Sequence, residues 1–163
     1  MKEKVKRYIY LLSDLKIVVL ISLIVIGYQD FKDRQVWFFL FPMFAIGGAG
    51  LFYESSNTSI YLLNISINLC LVALVLLVGY GVTRFILKKG FINASMGLGD
   101  VLFFIGFALS FPSISFLNFF VFSMVFSVLL MGIRTWLRTS EDRSVPLAGS
   151  MSLFLIGIYL SNW

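Results

Sequence analysis

Apolar residues run along this chain in long blocks, and the polar residues gather between them. A helix needs about 20 apolar residues to cross the ~30 Å hydrocarbon core of a bilayer, and blocks approaching that length are the primary signal of a membrane span. Six are present, at about 9–29, 36–53, 60–85, 99–111, 113–133 and 145–159. They predict an all-α fold, a polytopic membrane helix bundle with about six transmembrane helices. Asp14 and Lys16 interrupt the first block, which makes it the weakest span. The second contains Pro42 and the cluster Gly47-Gly48-Ala49-Gly50, which permits a kink or a close helix contact. No connection is long enough to build a core of its own, so residues 1–163 read as a single domain. The first block leads into Asp30 and not into a small-residue cleavage site, which argues against a secretory signal.

The charges between the blocks add a topology. Short loops rich in Lys and Arg stay on the cytoplasmic side. Lys32 and Arg34 follow the first block, Arg84, Lys88 and Lys89 the third, and Arg134, Arg138 and Arg143 the fifth, whereas "ESSNTS" and the turn at Pro112 carry no basic residue. The alternation puts the charged loops inside. It also puts the N-terminus outside, against the four basic residues of "MKEKVKR". Arg34, Lys88 and Lys89 therefore read as topology determinants. The net charge of +5 is explained by topology and anionic membrane lipid, with no nucleic-acid partner.

Composition narrows the chemistry. Hydrophobic residues make up 60% of the chain and charged residues 13%, as expected of an integral membrane protein. The one cysteine, Cys70, lies in an apolar block, which excludes an intrachain disulfide and a paired-cysteine zinc site. Histidine is absent, and with it the commonest general base and the usual metal ligand. No metal and no cofactor is expected. Chemistry is left to carboxylates, hydroxyls, Lys, Tyr or the backbone.

Among the carboxylates, Glu3, Glu54, Glu141 and Asp142 fall in polar segments and read as solvated surface. Asp14 reads as a snorkelling or outer-leaflet residue. Asp30 closes the first block, Asp33 follows one helical turn later, and Asp100 opens the fourth within "NASMGLGDVLFFIGFALSF". An ionisable group near the centre of a span costs roughly 2.5–3.5 kcal/mol on insertion scales, so such residues usually serve a function. Two crossings separate Asp30 from Asp100, and both therefore emerge on one membrane face. Like charges a few Å apart do not both ionise readily, so a carboxylate pair supplies a general acid and a general base together. The helix ends would divide those roles, with Asp100 at an N-terminus the readier base and Asp30 at a C-terminus the readier acid. Gly97 and Gly99 flank Leu98 just before Asp100 and permit close backbone approach by an extended substrate, or plain helix packing.

Three segments together resemble the type IV prepilin peptidase family of GxGD intramembrane aspartyl proteases. "GLGDV", 97–101, resembles the GxGD motif with its catalytic Asp. "DFKDRQV", 30–36, resembles the first-Asp segment, in which an Asp closes a span and a basic stretch leads to an aliphatic residue six positions on, here Val36; counting from Asp33 does not fit. "SVPLAGSMSLFL", 144–155, resembles the entry to the last helix, with Pro146 and Gly149 in the expected places. The match covers essentially the whole chain in order and spacing. It departs at Trp37 and Phe38, where the family has Pro and Asn, and at Leu102, where it often has Lys. The cysteine-rich zinc segment of the large members has no counterpart, so the resemblance is to the short, peptidase-only branch found with Tad/Flp pili and archaeal flagellin-like filaments.

The resemblance implies removal of a short basic leader from a pilin-like precursor at the cytoplasmic face of a prokaryotic inner membrane. Asp30 and Asp100 would be the catalytic pair around a water. Gly97, Leu98 and Gly99 would offer backbone groups to the extended substrate, and Pro146 would shape the floor of the site. The rival readings are a proton- or ion-conducting module, an inactive homologue acting as an assembly scaffold, and a small membrane protein whose Asp residues merely cap helices.

Overall fold

A computed structural model describes residues 2–82, 97–137 and 147–161, with side chains for 10–82, 97–133 and 147–161. Among the described residues the chain forms six α-helices: α1 (Lys2–Lys32), α2 (Leu40–Glu54), α3 (Thr58–Gly81), α4 (Leu98–Ser110), α5 (Ser113–Leu137) and α6 (Leu147–Ser161). The all-α bundle expected from the apolar blocks is the observed architecture. Three segments, Tyr10–Lys32, Thr58–Gly81 and Ser113–Ile133, are long and apolar enough to cross a membrane. The other three helices have 15, 13 and 15 residues, which at 1.5 Å per residue gives only about 20–22 Å each.

Two boundaries differ from the sequence pattern. The first helix passes straight through Asp14 and Lys16 and begins at Lys2; Asp14 lies on the outer surface of the bundle. The second starts at Leu40 and not at 36. Pro42 explains this. Proline is tolerated in the first turn of a helix, where its missing N–H has no partner to lose, but farther in its ring clashes with the carbonyl four residues back. The preceding segment turns instead: Trp37 N–H donates to Gln29 Oε1 at 3.0 Å, and Arg34 takes the left-handed conformation (φ 53°) just beyond the end of α1. That is the position where a helix commonly reverses its chain.

Lipid is as apolar as leucine, so a membrane bundle is held by close packing and interhelical hydrogen bonds. The glycines supply the closeness. Gly47 of α2 faces Val19 of α1, Gly106 of α4 faces Phe44 of α2, and a Cβ at Gly48 would overlap Ser110 Oγ. These contacts seat α2 between α1 and α4, the close-contact use expected of the glycine cluster. α4 is the central element. Phe103, Phe104, Phe107 and Ala108 are all fully buried, and their rings interlock with neighbours: Phe104 with Phe120 at 5.0 Å, Phe107 with Phe116 at 5.5 Å, Phe44 with Phe103 at 5.4 Å. Such pairs contribute about 0.5–1.5 kcal/mol each beyond area burial. α3 closes the far side. Buried Asn68 donates to the carbonyls of Ala108 and Phe111 at 2.9 and 2.8 Å, and Asn64 Oδ1 accepts from Ser113 N–H at 2.8 Å, clamping the turn between α4 and α5.

α1 packs on α2 and α6, and α6 also packs on α5. The C-terminal end of α1 thereby meets the N-terminal ends of α2, α4 and α6 at one end of the bundle.

Candidate active site

The first three amides of α6 have no partner within their own helix, and its first turn contains no acidic residue. Two carboxylates from elsewhere in the chain fill this gap. Gly149 N–H donates to Asp30 Oδ2 at 2.5 Å, and Ala148 N–H donates to Asp100 Oδ1 at 3.0 Å. Asp30 comes from the last turn of α1 and Asp100 from the first turn of α4. Adjacent backbone amides therefore hold the two side chains next to one another, at a helix end whose dipole favours negative charge. Each aspartate is partly buried, and they lie close enough for the charge of Asp30 to act on Asp100. Arg34, just past α1, acts electrostatically on Asp30 in turn.

Local chemistry fixes each side chain. Asp100 is the third residue of α4, and its Oδ2 accepts the N–H of Gly97 at 3.2 Å, an acidic residue bonding back to the start of its own helix. Both of its oxygens are thus engaged. Asp30 has only Oδ2 engaged by the described residues, which leaves Oδ1 available to a water or a substrate. Its approach to α6 requires glycine at 149, where a Cβ would stand 3.0 Å from Asp30 Cβ and Oδ2.

Of the residues expected at the site, Asp30, Asp100, Gly97, Leu98 and Gly99 are gathered at this end. Leu98 is 62% exposed beside the pair and Gly97 is also exposed. The carbonyl and N–H of Gly97 are both taken up by Asp100, which leaves the amides of Leu98 and Gly99 as the other donors of this first turn. Gly99 faces the ring of Phe41, 3.1 Å from where a Cβ would lie, so packing alone accounts for that glycine. Gly97 differs. Its φ of −75° suits any residue, and a Cβ would find only ordinary contacts, the nearest at 3.5 Å. Asp33 is exposed, with its amide bonded to Gln29 O. Pro146, Arg84, Lys88 and Lys89 lie outside the described residues.

The sequence pattern gave no role to the amides of Ala148 and Gly149. Their signal was indirect: a first turn without an acidic residue of its own, and a small Ala-Gly pair that admits a neighbour. Among the described residues no group of three or more His, Cys, Asp or Glu side chains is placed to hold a metal ion. No family model, curated protein or solved structure matches the chain. What the site does therefore rests on its own geometry and on the three sequence segments.

Proposed function

We propose that this membrane protein is an intramembrane aspartyl endopeptidase of the prepilin peptidase kind, removing a short basic leader from a pilin-like precursor at the cytoplasmic face of a prokaryotic inner membrane. The observation that carries the reading is the juxtaposition of Asp30 and Asp100, distant in sequence, on neighbouring amides of α6. A water between the two carboxylates attacks the scissile carbonyl. One carboxylate takes the proton of the water, the other protonates the leaving amine, and the pair returns to its starting state with the peptide bond hydrolysed. The exposed entry at Gly97 and Leu98 supplies the place for an extended peptide, with the amides of Leu98 and Gly99 oriented by the N-terminal turn of α4. The chemistry needs no cofactor and no metal.

A second reading is favoured by the same hydrogen bonds: both aspartates serve only to cap α6. One pair of variants separates the two. Asparagine caps a helix about as well as aspartate, whereas it neither takes a proton from water nor gives one to an amine. Under the peptidase reading Asp30→Asn and Asp100→Asn each lose leader cleavage by at least about 10²-fold; thermal stability in detergent stays within about 0.5 kcal/mol for Asp30→Asn, whereas Asp100→Asn, whose amide accepts only one of the two N–H bonds, loses about 1–3 kcal/mol. The measurement is cleavage of a co-expressed precursor at matched membrane levels. Cleavage surviving either substitution would remove the dyad. Failure of the wild type to cut any precursor would leave the helix cap or an assembly scaffold as the role.

A further inference from the structure

On the lipid-facing side, the seam between α1 and α6 opens into a groove of about 620 Å³ walled by Ile24, Tyr28, Phe31, Leu153 and Ile156, with Gly27 at its floor. Lys32 lines the end nearest the aspartates, its ammonium 5.4 Å from the centre of the Tyr28 ring. We propose that this groove seats the transmembrane helix of the precursor, an inference that rests on the peptidase reading above.

Three observations point to that occupant. First, the groove is built by the two helices that carry the site: Phe31 directly follows Asp30, and Leu153 lies one turn below Gly149. A helix lying in it delivers the residues before its own first turn to the carboxylates without a further change of direction. Second, its shape suits a helix. It follows α1 from Ile24 to Lys32, about 12 Å at 1.5 Å per residue, and its apolar walls are already partly exposed, Ile24 at 53%, Tyr28 at 63% and Leu153 at 45%. Third, the charges fit. Among the described residues Asp30, Asp33 and Asp100 stand at this end beside Lys32 and Arg34, so carboxylates are there to meet the basic residues of a leader. A basic leader followed by an apolar helix complements both surfaces.

The test uses the fact that Cys70 is the only cysteine. In a Cys70→Ser, Asp100→Asn background, which holds the precursor uncut, Leu153→Cys is placed in the groove and Leu74→Cys on α3, where the side chain is 60% exposed to lipid. Each is oxidised in membranes with precursors bearing single cysteines along their helix, the precursors being ones that the Cys70→Ser parent cleaves. Leu153→Cys is expected to cross-link every third or fourth precursor position, marking one helix face, and Leu74→Cys none. A filling variant, Leu153→Trp, is expected to raise KM for the precursor at least fivefold with kcat within twofold. Cleavage by the parent combined with cross-links on α3, at both sites equally, or at neither site overturns the groove assignment alone, as does an unchanged KM in Leu153→Trp. A parent that cleaves no precursor overturns the peptidase reading and the groove with it.

Discussion

A Cβ at position 149 would stand 3.0 Å from Asp30 and 3.3 Å from the Phe31 ring, so the last turn of α1 has to move for any residue larger than glycine. A shift of about 1 Å at a reacting group can cost roughly 10²-fold in rate. Contacts of 3.0–3.3 Å are relieved by a few tenths of an ångström, so under the peptidase reading Gly149→Ala is expected to lower kcat for leader cleavage several-fold, less than that factor, whereas addition of a methyl to a buried seam costs about 1–3 kcal/mol of stability. Cleavage kinetics and thermal melting on the same preparation separate the two effects. Gly97 makes the opposite case. Its backbone is ordinary and its Cβ direction is open, so Gly97→Ala should melt within about 0.5 kcal/mol of the wild type. If an extended substrate passes over it, cleavage falls several-fold; unchanged cleavage would place the substrate elsewhere. The aspartates were legible in the sequence because a carboxylate at a span border stands out against leucine and phenylalanine. The amides that hold them were not, because every residue but proline has one and the chain gives no sign of which will be left unpaired.

At the level of helices, the apolar blocks located all six elements, and the parity of crossings anticipated that Asp30 and Asp100 share an end. The start of α2 was hidden because residues 36–39 are as apolar as the helix that follows. Only Pro42 marked the boundary, through the hydrogen bond and the space it denies. Contacts among helices were legible only where glycine announced them; the Asn68 clamp was not, since a lone asparagine in an apolar block gives no clue to its partner. Interhelical hydrogen bonds in membrane proteins contribute about 0.6–2 kcal/mol each. Asn68→Ala removes two of them and is expected to lower stability by about 1–3 kcal/mol. It lies at the opposite end of α4 from Asp100, so kcat at permissive temperature should be unchanged. A loss of activity equal to that of the Asp variants would show that the two ends of α4 are coupled.

Across the whole molecule, the three short helices α2, α4 and α6 begin side by side at the aspartate pair, and each falls about 8–10 Å short of the ~30 Å hydrocarbon thickness. A bilayer meets such a deficit by thinning around the protein, at fractions of a kcal/mol per Å. The leaflet would be dimpled where these helices begin, and headgroup water would come down to the carboxylates without a pore having to open. Under the peptidase reading, membrane thickness then becomes a control on hydrolysis. In vesicles of 14-carbon acyl chains cleavage should run faster than in vesicles of 20-carbon chains at equal protein and precursor, and equal rates would mean that the carboxylates meet water by another route.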